Sequence, residues 1–243
     1  MYDIIGDIHG CYDELLALLT KLGYGQMMAD PICHPDDRQV IFVGDLADRG
    51  PNSPGVLKTA MEMVNTKNAL AVLGNHDDKL RRWLKGNKIK INNGLDTTIK
   101  QLEENKKLPK SCSRRVDLRK LEKFLELIPT QLLLDDNKLS ISHAGLKEQY
   151  HGVQNKKTRS KALYGEVTGE RDDDGYPIRR DWASKYSGDR TVVHGHVAGE
   201  EVRVKNNVYN VDTSCVYGGK LTALRYPEME IVSVPAKHKY WGK

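Results

Sequence analysis

Asp7 and His9 stand at i and i+2 directly after the β-like run Tyr2 to Ile5, a spacing that turns both side chains to one side of an extended backbone. Four further runs end in the same kind of residue. Val40 to Val43 leads to Asp45, Ala69 to Leu73 to Asn75, Leu139 to Ser142 to His143, and Thr191 to Val193 to His196. Together these offer two carboxylates, three imidazoles and one amide. Oxygen and nitrogen donors without thiolates suit hard or borderline divalent ions such as Mn²⁺, Fe²⁺, Zn²⁺ or Co²⁺. Six protein ligands exceed one tetrahedral site, whereas two ions sharing a bridging carboxylate would use them all.

These residues need elements that deliver them. Between the early strands the spacing predicts helices: Cys11 to Leu22 places Leu15, Leu16, Leu18, Leu19 and Leu22 at spacings of three and four, and Pro54 to Val64 repeats the pattern. Strand, polar turn, helix and strand in that order indicate α/β layering. Residues 98–128 read as helical, with Leu118, Leu121, Phe124, Leu125 and Ile128 on one stripe. Beyond Val192, short alternating runs at Glu201 to Val204, Asn207 to Val211, Lys220 to Arg225 and Glu230 to Val234 predict an antiparallel β-meander. Nothing resembling a linker divides the chain, so a single domain over 1–243 is expected, with a helical excursion at about 84–130.

The 243 residues are 39% hydrophobic and 29% charged, which excludes a disordered or fibrous chain. No run of about 18 apolar residues exists, and the start, MYDIIGDIHG, lacks the features of a secretory signal. A cytoplasmic protein without membrane contact is therefore expected, and no obligate protein partner is evident. Cys11, Cys33, Cys112 and Cys215 are too scattered for a disulfide framework or a zinc knuckle. Of the net charge of +5, residues 79–120 carry +10, from 14 Lys or Arg against 4 Asp or Glu. That concentration can attract phosphates or nucleic acid, or simply form a solvated helical face.

The order of the five blocks resembles the calcineurin-like metallophosphoesterases, in the branch with phosphoprotein-phosphatase-type motifs. The matching residues are Gly6-Asp7-Ile8-His9-Gly10, Gly44-Asp45-Leu46-Ala47-Asp48-Arg49-Gly50-Pro51, Gly74-Asn75-His76-Asp77, His143-Ala144-Gly145 and Gly195-His196. The resemblance implies a four-layer αββα sandwich of two mixed sheets flanked by helices, with metals at the carboxyl ends of strands. It implies one ion on Asp7, His9 and Asp45 and a second on Asp45, Asn75, His143 and His196, so that Asp45 bridges. Manganese is the first expectation, with iron, zinc, nickel, cobalt or magnesium as alternatives.

A pair of divalent ions roughly 3.5 to 4 Å apart supplies hydroxide at neutral pH and polarises phosphoryl oxygens for in-line attack. His76 resembles the family's general acid, and Asp48 is its natural partner, because a carboxylate on one ring nitrogen fixes the tautomer. Arg49 offers a planar fork that matches phosphate oxygens bidentately. Asn75 and His194 are further candidate substrate contacts; His194 stands where relatives usually carry another residue, and lining the site is its simpler role.

Nearly the whole chain resembles bacterial asymmetrical diadenosine tetraphosphatases and the phosphatase domain of bacterial polynucleotide kinase-phosphatases. Shared blocks cover Asp3 to Glu14, Leu163 to Glu170 and Asp212 to Glu228, with Ser214 in place of a Gly and the turn there in question. The length leaves no room for kinase or ligase domains, which favours a nucleotide or polyphosphate substrate such as a dinucleoside polyphosphate. RNA ends bearing 2′,3′-cyclic or 3′-phosphates are the alternative, since Gly74 to Leu80 followed by Arg81-Arg82-Trp83-Leu84 is closer to the RNA-repair domain. Serine/threonine protein phosphatase activity comes third, because Asp77 and Ala144 depart from that pattern. A catalytically silent nucleic-acid-binding module is the remaining class.

Overall fold

The computed structural model describes residues 1–25, 32–173, 175 and 177–242. Three buried parallel strands form its first half: β1 (Tyr2–Ile5), β2 (Gln39–Phe42) and β3 (Ala69–Ala71), in register Ile5↔Phe42 and Phe42↔Ala71. Two helices cover them. In α1 (Tyr12–Leu22) Leu15, Leu18, Leu19 and Leu22 are buried while Leu16 is half-buried, and Gly23 ends the helix in the left-handed region. In α2 (Ser53–Asn65) the Asn52 side chain accepts from the Gly55 N–H, and Pro54 sits in the first turn, where it costs no hydrogen bond.

Strand alternation then sorts the core into layers. Ile5, Val40 and Phe42 pack beneath the helices, while Ile4, Ile41 and Val43 face the other way, onto Leu139, Ile141 and Val193 of a second sheet. Strands buried on both faces explain why these segments read as unbroken apolar runs. The second sheet holds β4 (Gln131–Leu134), β5 (Leu139–Ser142), β8 (Thr191–His194), β9 (Arg203–Lys205) and β10 (Val208–Asn210). Its order is β4-β5-β8-β10-β9, and β5, β8 and β10 run parallel. The first sheet is completed by β11 (Lys220–Tyr226) and β12 (Glu230–Pro235) in the order β12-β11-β1-β2-β3. On the outer face of the second sheet, Trp182, Tyr186, Val192 and Val208 pack together at the 3-10 turn Ala183–Lys185. The expected sandwich of two mixed sheets with flanking helices is present.

Two expectations need correction. The stretch 98–128 is not one helix but two, α4 (Leu95–Lys106) and α5 (Leu118–Leu127). Pro109 lies between them, and the Asp117 carboxylate starts α5 by accepting from the Arg119 and Lys120 N–H groups. The tail is not one meander: β9 and β10 form an antiparallel pair in the second sheet, and β11 and β12 another in the first. Alternation specifies a half-buried strand but not its partner, so a break between sheets at Val211 to Gly219 leaves no periodic trace. The strands β4, β6 (Val167–Arg171) and β7 (Pro177–Arg179) were not anticipated. At Ser214 the backbone is left-handed (φ 62°), so the strain expected from losing a Gly is real, and the Ser214 hydroxyl donates to the Gly199 carbonyl at 2.8 Å. The remaining helices are α3 (Asn75–Leu84) and α6 (Lys156–Tyr164).

Candidate metal centre

All five strand ends open on the same edge of the sandwich. The loops that turn there hold His9, Asp45, Asp48, Arg49 and His196 at positive φ, between 47° and 76°. Left-handed backbone costs a non-glycine residue about 1 to 2 kcal/mol, and such strain gathers where a side chain must be aimed. Asp77 fastens two of these loops, with Oδ1 accepting from the Leu46 N–H at 3.0 Å and Oδ2 from the Gly74 N–H at 3.1 Å. The His196 N–H donates to both Asp7 oxygens at 3.1 Å, which ties the first sheet to the second. Gly195 permits that approach, because a Cβ there would collide with Asp7 Oδ1.

Asp45 stands at the centre. Its Oδ1 accepts from the His76 N–H at 3.0 Å, leaving Oδ2 between two rings, 3.6 Å from His9 Nε2 and 3.4 Å from His143 Nε2. Among the described residues, the compact sets of donor atoms are His9 with Asp45 and His76, and Asp45 with His143 and His196; Asp45 belongs to both. His9 directs Nδ1 at the Ala47 carbonyl (2.9 Å) and His143 directs Nδ1 at the Val43 carbonyl (3.0 Å). A backbone carbonyl on one ring nitrogen sets the tautomer in which the other carries the lone pair, the outer-shell arrangement of metal-ligating histidines. His143 Nε2 also meets Asn75 Oδ1 at 2.9 Å and His196 Nδ1 at 3.0 Å, and His196 Nε2 is buried without a partner. Donors of this type, converging on one carboxylate and with His196 Nε2 left unpartnered, fit two divalent ions.

The electrostatics agree with that reading. Burial alone would raise the Asp45 carboxyl, but His143, His76 and His9 hold it well below the usual carboxylate range. Burial and the neighbouring Asp212 push Asp7 well above that range. Burial opposes charge on His143, yet the Asp45 and Asp7 carboxylates raise it to about 9. Burial, then Arg49, keeps His9 well below its ordinary value, and burial with His143 and Arg179 does the same for His196. Cation binding at His143 must therefore expel a proton.

Beside this cluster His76 donates from Nδ1 to Asp48 Oδ2 at 2.6 Å, and its Nε2 accepts from Arg49 Nη2 at 3.0 Å. Arg49 Nη1 reaches His9 Nε2 at 2.8 Å, and the guanidinium carbon lies 5.6 Å from the Tyr217 ring centroid. Asp48 is fully buried, and its Oδ1 accepts from the Thr98 hydroxyl at 2.7 Å while the same hydroxyl accepts from the Asp48 N–H at 2.9 Å.

The structure thus brings Asp7, His9, Asp45, Asp48, Arg49, Asn75, His76, His143 and His196 to one place. Asp7 sits a little apart, held by the His196 main chain and outside both compact sets. His194 does not join them: its ring is buried, its Nδ1 meets the Gly195 carbonyl at 2.9 Å, and burial holds it down to about 4. Three residues of the basic segment, in or next to α3, are committed elsewhere. Arg81 bonds Asp78, Lys85 pairs with Glu126, and Lys79 donates to Asn92. Residues the sequence reasoning missed are Thr98, Tyr217 and Asp212; a helix threonine and a turn aspartate carry no local signal of such a role. All four cysteines are unpaired, as expected, and no described helix is long and apolar enough to cross a membrane.

Residues 2–209 match the calcineurin-like phosphoesterase family. The chain is 48% identical over 240 residues to the asymmetrical bis(5′-nucleosyl)-tetraphosphatase PrpE of Anoxybacillus flavithermus, covering 99% of this chain and 96% of that protein. It is 43% identical over 237 residues to the protein of the same name from Halalkalibacterium halodurans, covering 97% and 94%. Among solved structures it resembles one provisionally described as a diadenosine tetraphosphatase, with a TM-score of 0.65 and 28% identity over 97% of this chain and 93% of that one. A serine/threonine phosphatase from Saccharomyces cerevisiae, 16% identical with a TM-score of 0.61, over 98% of this chain and 79% of that one, shares the fold. With its ligand-type residues converging on Asp45, the chain belongs to the calcineurin-like phosphoesterase family and is a metal-dependent phosphohydrolase.

Proposed function

We propose that this protein hydrolyses dinucleoside polyphosphates, cleaving a tetraphosphate bridge unequally. The observation that carries the reading is the position of Asp45 Oδ2 between His9 and His143, which suits a bridging ligand, in a chain whose relatives at 43 to 48% identity are named for that substrate. Asp7, His9 and Asp45 would hold one ion, and Asp45, Asn75, His143 and His196 the other, with manganese as the first candidate. Two divalent ions in such a site supply a water that ionises near neutral pH and positive charge against the phosphoryl oxygens.

The chain's own groups do the rest. Arg49 presents a guanidinium fork that now donates to the lone pairs of His9 and His76; a phosphoryl group would take over those donors, which would leave the His9 Nε2 lone pair available to hold an ion. His76 Nε2, released from Arg49, takes up a proton from solvent, and the resulting imidazolium gives that proton to the departing oxygen and returns to the neutral ring. Asp48 holds the ring from the other nitrogen and stabilises its charged form. No covalent nucleophile is required.

The test is steady-state kinetics with added Mn²⁺ on four substrate classes: dinucleoside tetraphosphates, RNA with 2′,3′-cyclic ends, RNA with 3′-phosphate ends, and phosphopeptides. Highest kcat/KM on the tetraphosphate, with products of unequal phosphate number, is expected. Preference for RNA ends or phosphopeptides would replace the substrate reading, and metal-independent activity would end it.

A further inference from the structure

Next to the metal centre lies a cavity of about 290 Å³ to which the roles above assign nothing. Its inner wall continues from the strand ends that carry the ligands, since Ala144 follows His143 and Val197 follows His196. The floor is apolar and aromatic, with Trp182 tilted 40° to the His194 ring at 6.2 Å and Val208 beside them. The rim is cationic. Arg179 donates to the Tyr164 carbonyl at 2.8 Å, Arg180 to the Val167 carbonyl at 3.1 Å, and Arg203 to the Val197 carbonyl.

Charge accounting sets these three apart. The acidic neighbours are already neutralised: Asp181 pairs with Lys205, and Glu166 with Lys147 and Lys161. Among the described residues no carboxylate lies within ion-pair distance of Arg179, Arg180 or Arg203. Each guanidinium thus spends one N–H on a carbonyl, which fixes its position, and lines the cavity with no carboxylate to offset its charge. Uncompensated arginines around an apolar floor suit a ligand with a flat apolar end and an anionic chain. The volume has room for one nucleoside and not for a whole dinucleotide. A wider space of about 840 Å³, sharing Arg179, Arg180 and Trp182, continues outward.

We infer that this cavity binds a nucleotide: the nucleoside of the substrate rests on the Trp182–Val208 floor while its phosphates meet Arg180 and Arg203 on the way to the metal centre. The inference rests on the proposed polyphosphate substrate for its biological meaning, but the site is defined by its own chemistry. It makes His194 a floor residue, buried and neutral, rather than a phosphate ligand.

The experiment measures inhibition of p-nitrophenyl phosphate hydrolysis by the metal-loaded enzyme, with ADP and inorganic phosphate as separate inhibitors. Both compete at the metals, and only ADP can reach the cavity, so the readout is the ratio of their inhibition constants. In the wild type ADP should bind more tightly than phosphate. Arg180→Gln and Arg203→Gln should each weaken ADP relative to phosphate by about tenfold, the scale of one hydrogen bond to a charged group. The control Lys110→Gln, on the loop between α4 and α5, should keep the wild-type ratio. A wild type that binds ADP no better than phosphate overturns the inference, and so does a ratio that Arg180→Gln and Arg203→Gln leave unchanged. Turnover of dinucleoside tetraphosphate is assayed separately: its absence, with the ADP effect intact, would remove the substrate reading and leave the nucleotide site standing.

Discussion

Replacing His76 by Ala should damage catalysis selectively, in proportion to how badly the leaving oxygen needs a proton. The geometry commits the ring to one orientation: Nδ1 is 2.6 Å from Asp48 Oδ2, and Nε2 alone faces the site. General acid catalysis is typically worth about 10² to 10⁴-fold. His76→Ala should therefore lose about 100-fold or more in kcat on a nucleoside or alkyl phosphomonoester. On p-nitrophenyl phosphate, or on a polyphosphate whose departing group is itself a phosphate with a second pKa near about 6, the loss should stay below about tenfold. Asp48→Asn sharpens the test. An amide can still accept from Nδ1 and donate to the Thr98 hydroxyl, so position is kept and only the negative charge is lost. A charge-assisted hydrogen bond exceeds a neutral one by about 1 to 2 kcal/mol, so a loss of about 5 to 30-fold is expected on the alkyl ester. The assay is kcat on all three leaving groups, with metal content measured for each variant. Equal losses across leaving groups, at full metal content, would remove His76 from the acid role.

Three further outcomes follow from the geometry. Asp45→Asn weakens both ions at once, so bound metal should fall below two per chain by elemental analysis, and activity should drop at least as far as for any other ligand variant; two ions with wild-type turnover would refute the bridge. Thr98→Val keeps shape but strips the donor from a buried carboxylate, which should cost about 1.5 to 3 kcal/mol and lower Tm by about 3 to 10 °C in a chain of this length. Replacing Arg81, Arg82 and Lys85 by Ser should leave KM for a dinucleoside tetraphosphate within about twofold at low and high salt, because two of the three are spent on Asp78 and Glu126 and substitutions of this kind stay near 0.5 kcal/mol each. A large rise in KM that salt abolishes would return the basic segment to substrate binding.

How much of this was legible in the chain depends on range. The strands at Tyr2–Ile5 and Leu139–Ser142 were readable to the residue because burial on both faces leaves an apolar run and the metal site leaves a polar stop. The candidate ligands stood out because the chemistry restricts residue type: few side chains could serve at Asp45 or His143. Sheet membership was not readable. Val208–Asn210 and Lys220–Tyr226 have the same local pattern, yet one pairs parallel with Thr191–His194 and the other antiparallel with Tyr2–Ile5, choices made by contacts that no local window contains.

The same reasoning separates the site's actors from their supports. Thr98 holds the oxygen of Asp48 from 50 residues away, in a helix that the pattern placed only approximately. A serine or a bound water could supply that donor, so its residue type is weakly constrained and its role leaves no motif. The arginines near Trp182 are a second case. Charge counting along the chain pointed to residues 79–120, where positive charge is dense, but dense charge in sequence is often neutralised in space, as Arg81 and Lys85 are. What an anionic ligand senses is charge left over after folding. Arg179 and Arg180, brought together with the distant Arg203 and bonded only to carbonyls, retain it beside the cavity, whereas Arg81 and Lys85 of the longer basic run have spent theirs.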